Sequence, residues 1–182
     1  ARYRALTFDC YGTLIDWETG IWDALQPLIA ISGRLDVTRA KGLSMFARHE
    51  TALQAANPQM GYRDLLAAVH RHFAEELDLP STAELDTAFG RSVGAWPAFP
   101  DTADALRYLG RHFRLVILSN VDRQSFSESN RKLGVDFDGV YTAEDIGSYK
   151  PDPANFRYLL MHADRDLGVG PGDRVAAVLP NE

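Results

Sequence analysis

Apolar residues recur along this chain in two different rhythms. Ala5-Leu6-Thr7-Phe8 is a short apolar run, partly β-branched, followed by Asp9 and the turn residue Gly12. Such a run predicts a buried β-strand ending near Asp9. From Trp17 the rhythm lengthens: Ile21, Trp22, Leu25, Leu28 and Ile29 fall at steps of three and four, and Gly33 closes the helix they predict. A second helix is predicted from about Val37 to Ala55, where Asn57-Pro58 breaks it. Leu65, Leu66, Val69, Phe73 and Leu77 form the clearest stripe, stopped by Pro80, and Ser81 or Thr82 caps a fourth, short helix. The stretch from Ile15 to about Ala95 therefore reads as all-helical.

Beyond it strands and helices alternate. Pro100-Asp101-Thr102 starts a helix carrying Ala105, Leu106 and Leu109, and Leu115-Val116-Ile117-Leu118 is a strong buried strand. Phe126 and Leu133 mark a helix, Val140-Tyr141-Thr142 a short strand, Phe156-Leu159-Leu160 another helix, and Val175 to Leu179 a last strand. This alternation predicts an α/β fold, a doubly wound, Rossmann-like parallel sheet. The expected division is an α/β core of residues 1–14 and 97–182 and an inserted helical cap of residues 15–96.

Composition narrows the function classes. The chain has 182 residues, 46% of them hydrophobic, enough for a sizeable core. A net charge of −6 argues against nucleic acid as a partner, since phosphate binding needs clustered Lys and Arg. One cysteine, Cys10, forms no internal disulfide and fits a reducing compartment. No apolar run approaches the ~20 residues of a membrane span, and no signal peptide is read at the start, so a soluble cytoplasmic protein is expected.

In parallel sheets ligands bind beyond the carboxyl ends of the strands. Three such ends carry polar residues here: Asp9-Cys10-Tyr11-Gly12-Thr13, Ser119-Asn120, and Ser148-Tyr149-Lys150-Pro151. A carboxylate, a hydroxyl–amide pair and a lysine are thus placed to converge on one crevice. Taken singly, each is more often a turn, a cap or a solvated loop. His70 and His72 read as surface residues, His49-Glu50 lacks the second His of a zinc-protease motif, and Cys10 reads as a small buried side chain.

Jointly, Phe8-Asp9-Cys10-Tyr11-Gly12-Thr13-Leu14, Leu118-Ser119-Asn120 and Ser148-Tyr149-Lys150-Pro151-Asp152-Pro153 resemble three motifs of the haloacid dehalogenase superfamily, and within it the type II (S)-2-haloacid dehalogenases. The resemblance implies that Asp9 is a covalent nucleophile and that Lys150 neutralises charge between it and a substrate carboxylate. Thr13 would orient Asp9. Ser119 and Asn120 would donate to the carboxylate, and the amides of Cys10 and Tyr11 would help bind substrate. Family phosphatases carry a second Asp where this chain has Tyr11, and a phenol with pKa near ~10 is a poor acid–base catalyst at neutral pH. The reading is hydrolytic dehalogenation of a short 2-haloacid, without metal. Its alternatives are a Mg²⁺-dependent phosphatase of the same superfamily, or a truncated, catalytically incomplete member. The resemblance also admits a homodimer. Arg39 and Arg48 lie in the region expected to supply a halide-binding arginine. Trp17, Trp22 and Trp96 read first as core or cap-hinge packing, with Trp17 also close enough to Asp9 in sequence to line the pocket. Phe156 stands where the relatives tend to have Tyr, and Asn181 or Glu182 falls near the expected fourth-motif acid.

Overall fold

The computed structural model describes residues 3–34, 36–168 and 174–178. Four strands, β1 (Tyr3–Phe8), β2 (Arg114–Ser119), β3 (Gly139–Thr142) and β4 (Arg174–Val178), form one parallel sheet in the order β3-β2-β1-β4. All three pairings are parallel, with Phe8 opposite Ile117 on one side and Val178 on the other. The chain steps from β1 to β2 to β3 in one direction and returns to the far side of β1 for β4. The order thus reverses beside β1, the place where open α/β sheets open a crevice. Asp9 follows the last residue of β1.

Between β1 and β2 the chain is helical: α1 (Trp17–Ser32), α2 (Arg39–Ala56), α3 (Tyr62–Glu76), α4 (Ala83–Arg91), and a 3₁₀ turn over Ser92–Ala95. Local chemistry sets these bounds. Asp16 caps α1 by accepting from Thr19 N, and Gly33 ends it with a left-handed φ of 65° that only glycine adopts at little cost. Thr38 caps α2 and Thr82, rather than Ser81, caps α4. Leu65, Leu66, Val69 and Phe73 of α3 are buried, as the stripe predicts. The chain leaves and re-enters the sheet region along two crossings that are tied together. Asp16 N donates to Pro97 O at 2.8 Å and Phe99 N to Leu14 O at 3.2 Å.

The remaining helices, α5 (Thr102–Leu109), α6 (Arg123–Leu133), α7 (Ala143–Ile146) and α8 (Pro153–Leu167), connect and flank the strands. The four-residue α7 is too short to leave a periodic signal and was not predicted. Residues 179–182, including Asn181 and Glu182, lie outside the described residues, as does Gly170-Pro171-Gly172.

The insert and the sheet share one apolar core, in which Ile15, Ile21, Leu28, Trp96 and Ile117 are all almost fully buried. At Gly20, a Cβ would overlap the Trp96 ring at its root. Overpacking of this kind costs about 1–3 kcal/mol. Gly20→Ala is therefore expected to lower the urea midpoint with an unchanged m-value, and an unaltered midpoint would refute the contact.

One expectation fails inside the insert. His70 was read as a surface residue, but it is 2% exposed. Its Nδ1 lies 2.7 Å from Asp86 Oδ1 on α4, and Ser81 Oγ donates to the same oxygen at 2.8 Å. Arg71 Nε reaches the other oxygen at 3.1 Å. Burial pushes His70 below its ordinary pKa, against the pull of Asp86. Burial also pushes Asp86 up, but hydrogen bonds from His70, Ser81 and Arg71 outweigh it and hold the carboxyl low. Facing a carboxylate oxygen, His70 donates through Nδ1–H and joins α3 to α4.

Candidate active site

The three polar strand ends meet. Lys150 Nζ lies 2.5 Å from Asp9 Oδ1 and 2.7 Å from Leu118 O, the carbonyl one residue before the end of β2. Both side chains of the pair are about four-fifths buried, 16% and 15% exposed. Parallel pairing of β1 with β2 puts Asp9 next to that carbonyl, so one ammonium reaches both strand ends. With Oδ1 held by Lys150, Oδ2 is the Asp9 oxygen free of that contact.

Lys150 is placed through its backbone. Lys150 N donates to Asn120 Oδ1 at 2.6 Å, and Asn120 Nδ2 donates to Lys150 O at 3.1 Å. The Asn120 side chain thus imitates a ladder pair, fixing the loop after α7 against the end of β2. Its carbonyl and one N–H are engaged in this pair, and the second amide N–H remains for a ligand.

Thr13 also departs from expectation. Its hydroxyl is buried without a hydrogen-bond partner, so it does not hold Asp9. The turn it belongs to folds back on Cys10 O, which accepts from the backbone N–H groups of Leu14 and Ile15 at 2.7 and 3.0 Å. Ser119 is fully buried at the end of β2, its Oγ likewise unpartnered. It lies beneath the cavity rather than among its lining residues.

Cys10 is fully buried, and burial, reinforced by the charge of Asp9, pushes its thiol far above the ordinary range. It is a packing residue, not a nucleophile. Tyr11 shares its hydroxyl with Ser129 Oγ at 2.9 Å and sets its ring edge-on to Trp96, centroids 5.6 Å apart. Burial raises its pKa well above that of a free phenol.

A cavity of about 440 Å³ opens over Asp9. The core contributes Asp9, Tyr11, Asn120, Val121, Lys150 and Phe156 to its walls. The insert contributes Trp17, Phe46, Glu50, Gln54, Tyr62 and Trp96. Trp17 and Trp96, read first as packing residues, thus line the cavity, as does Phe156. Arg39 and Arg48 do not: Arg39 reaches Thr19 Oγ1 at 3.1 Å, and Arg48 pairs with the exposed Glu76 at 2.6 Å. Neither lines the cavity. Glu50, Gln54 and Tyr62 were missed, although Phe46, Glu50 and Gln54 stand at steps of four along α2 and so share a face. Among the described residues, no three His, Cys, Asp or Glu side chains gather as a metal-ligand group.

The profile of the haloacid dehalogenase-like hydrolases matches residues 3–178 of this sequence. The chain belongs to that family. A relative among these hydrolases is YhcW of Bacillus subtilis, provisionally named a phosphatase, 23% identical over 95% of this chain and 73% of its own. An L-2-haloacid dehalogenase crystal structure superposes with a TM-score of 0.79 at 22% identity, over 98% of this chain and 76% of that one. The L-2-haloacid dehalogenase of Xanthobacter autotrophicus, with chloropropionic acid covalently bound, superposes with a TM-score of 0.78 at 19% identity, over 97% and 69%. At these identities the two structures speak for the shared fold. No helix among the described residues is long and apolar enough to cross a membrane.

Proposed function

We propose that this hydrolase cleaves the carbon–halogen bond of 2-haloacids through an ester on Asp9. The observation that carries the reading is Tyr11, which stands two residues after the nucleophile with its hydroxyl committed to Ser129. A phosphate ester releases an alcohol and needs an acid at that place, whereas a halide leaves as a stable anion without a proton. Asp9 Oδ2 attacks C2, the C–O bond forms as the carbon–halogen bond breaks, and the halide departs with the electron pair. Water then attacks Cγ of the Asp9 ester. This frees a 2-hydroxyacid and restores the carboxylate, with one proton released to solvent.

Lys150 offsets the repulsion between Asp9 and the substrate carboxylate, which two anions meeting in a part-buried site would otherwise suffer. The spare Asn120 N–H is the amide donor that the cavity lining offers to that carboxylate, Ser119 being buried outside the lining. Trp17, Phe46, Trp96 and Phe156 exclude water from the displacement. The kinship with YhcW supports a second reading, Mg²⁺-dependent phosphate ester hydrolysis. The separating experiment is halide release from both enantiomers of 2-chloropropionate in EDTA, run beside a phosphomonoester panel in Mg²⁺. Halide release in EDTA is expected; phosphate release alone would replace the first reading by the second.

A further inference from the structure

The cavity over Asp9 is larger and more varied than a short haloacid requires. Its volume of about 440 Å³ lies within the ~300–1,000 Å³ of small-molecule sites and matches roughly 15 water volumes at ~30 Å³ each. A three-carbon acid held at Asp9 and Lys150 leaves much of that space open. The lining also holds a second carboxyl group. Glu50 lines the cavity from α2, between Phe46 one turn before it and Gln54 one turn after.

Tyr62 OH donates to Glu50 Oε1 at 2.8 Å, which fixes the carboxyl against α3. Oε2 has no partner among the described residues. The one cationic side chain lining the cavity is Lys150, already engaged by Asp9 and Leu118 O. Burial therefore pushes Glu50 up to about 7, the hydrogen bond from Tyr62 only partly opposing it. Near neutral pH a large share of molecules carry Glu50 as a carboxylic acid, which donates as well as accepts. Burial of its charged form without a cation is unfavourable, and so is burial of its neutral form without a hydrogen-bond partner.

We propose that Glu50 is a specificity-determining residue that hydrogen-bonds a neutral hydroxyl or amide at the far end of a substrate whose carboxylate lies at Asp9 and Lys150. The substrate class is then a medium-chain 2-substituted acid with a polar terminus, its methylenes running between the aromatic walls. This rests on the reading of the Asp9–Lys150 end as the acid-binding end. An apolar terminus is rejected because it would leave Glu50 unpaired, the kind of discrimination a buried polar group enforces.

Binding of three unreactive probes, measured by titration calorimetry, tests this without turnover: hexanoate, 6-hydroxyhexanoate and 6-aminohexanoate. The hydroxy acid is expected to bind the wild type about tenfold more tightly than hexanoate, the worth of one well-placed hydrogen bond. The preference should vanish in Glu50→Leu and persist in Glu50→Gln, whose amide also donates and accepts. Equal binding of the two acids to the wild type, a preference that survives in Glu50→Leu, or tightest binding of the amino acid overturns the proposal. Should Glu50→Leu not fold, loss of the preference in Glu50→Gln overturns it as well. The acid-end reading is checked separately by Lys150→Met, which should weaken all three probes alike. Hydroxyl preference without a Lys150 effect would sink that reading and leave the role of Glu50 standing.

Discussion

Asp9→Asn lowers halide release by at least ~10⁴-fold, the scale on which loss of a covalent nucleophile acts, while the protein stays folded. The amide has the shape of the carboxylate, and its carbonyl still accepts from Lys150 Nζ, so the 2.5 Å contact has a substitute. What the amide lacks is the anionic oxygen that forms the ester. The covalent route has a second signature. On the proposed route water attacks Cγ of Asp9, so a single turnover in H₂¹⁸O is expected to leave ¹⁸O on the enzyme and ordinary oxygen in the first equivalent of hydroxyacid. Label appearing in the product from the first turnover would mean that water attacks C2 directly, with Asp9 acting only as a base. Wild-type-like melting of the variant, with activity lost, separates chemistry from folding.

Asp86→Ala is expected to be the most damaging single change to stability outside the apolar core. It leaves His70 Nδ1–H and Ser81 OH without their acceptor, one of them on a fully buried ring. A buried donor left unpaired costs about 1–3 kcal/mol, and the half-buried Ser81 less than the fully buried His70, so the total is about 2–4 kcal/mol. At ~2–4 °C per kcal/mol for a chain of this size, Tm falls by roughly 5–15 °C; a drop of under 2 °C would show the cluster to be incidental. Acid acts on the same cluster. His70 and Asp86 both have pKa values held below those of the unfolded chain. Below the ordinary histidine pKa of ~6.5 the unfolded chain binds a proton that the folded one refuses, so stability falls as pH falls. Below ~3.9 Asp86 adds a second loss of the same sign. His70→Gln should flatten the first of these slopes.

Much of this was readable in the sequence, for reasons tied to particular residues. The strands at Leu115–Leu118 and Ala5–Phe8 are buried in a parallel sheet and so appear as unbroken apolar runs. The meeting of Asp9 with Lys150 follows from motif order plus the rule that sheets work at their carboxyl ends. The misreadings concern partners. Nothing local says that the Asn120 side chain would pair with the Lys150 backbone, or that the Thr13 hydroxyl would miss Asp9, because both depend on how loops after different strands dock. His70 left a usable signal: it stands four after Leu66 and three before Phe73, on the stripe itself. Its acceptor, 16 residues away on another helix, became visible only when α3 packed on α4. Glu50 was hidden for a similar reason, since α2 alone does not say which of its faces looks at the nucleophile.

The tied crossings at Asp16–Pro97 and Leu14–Phe99 have a consequence for how such a protein can diversify. Because the two ends of the helical segment emerge side by side, the loops between its helices can lengthen without separating Leu14 from Phe99. The closure cost of a longer segment grows only with the logarithm of its length. The segment's inner face has no such freedom: Ile21, Leu28 and Trp96 lie in one core with Phe8 and Ile117, so a graft of residues 15–96 from a relative would have to bring matching partners with it.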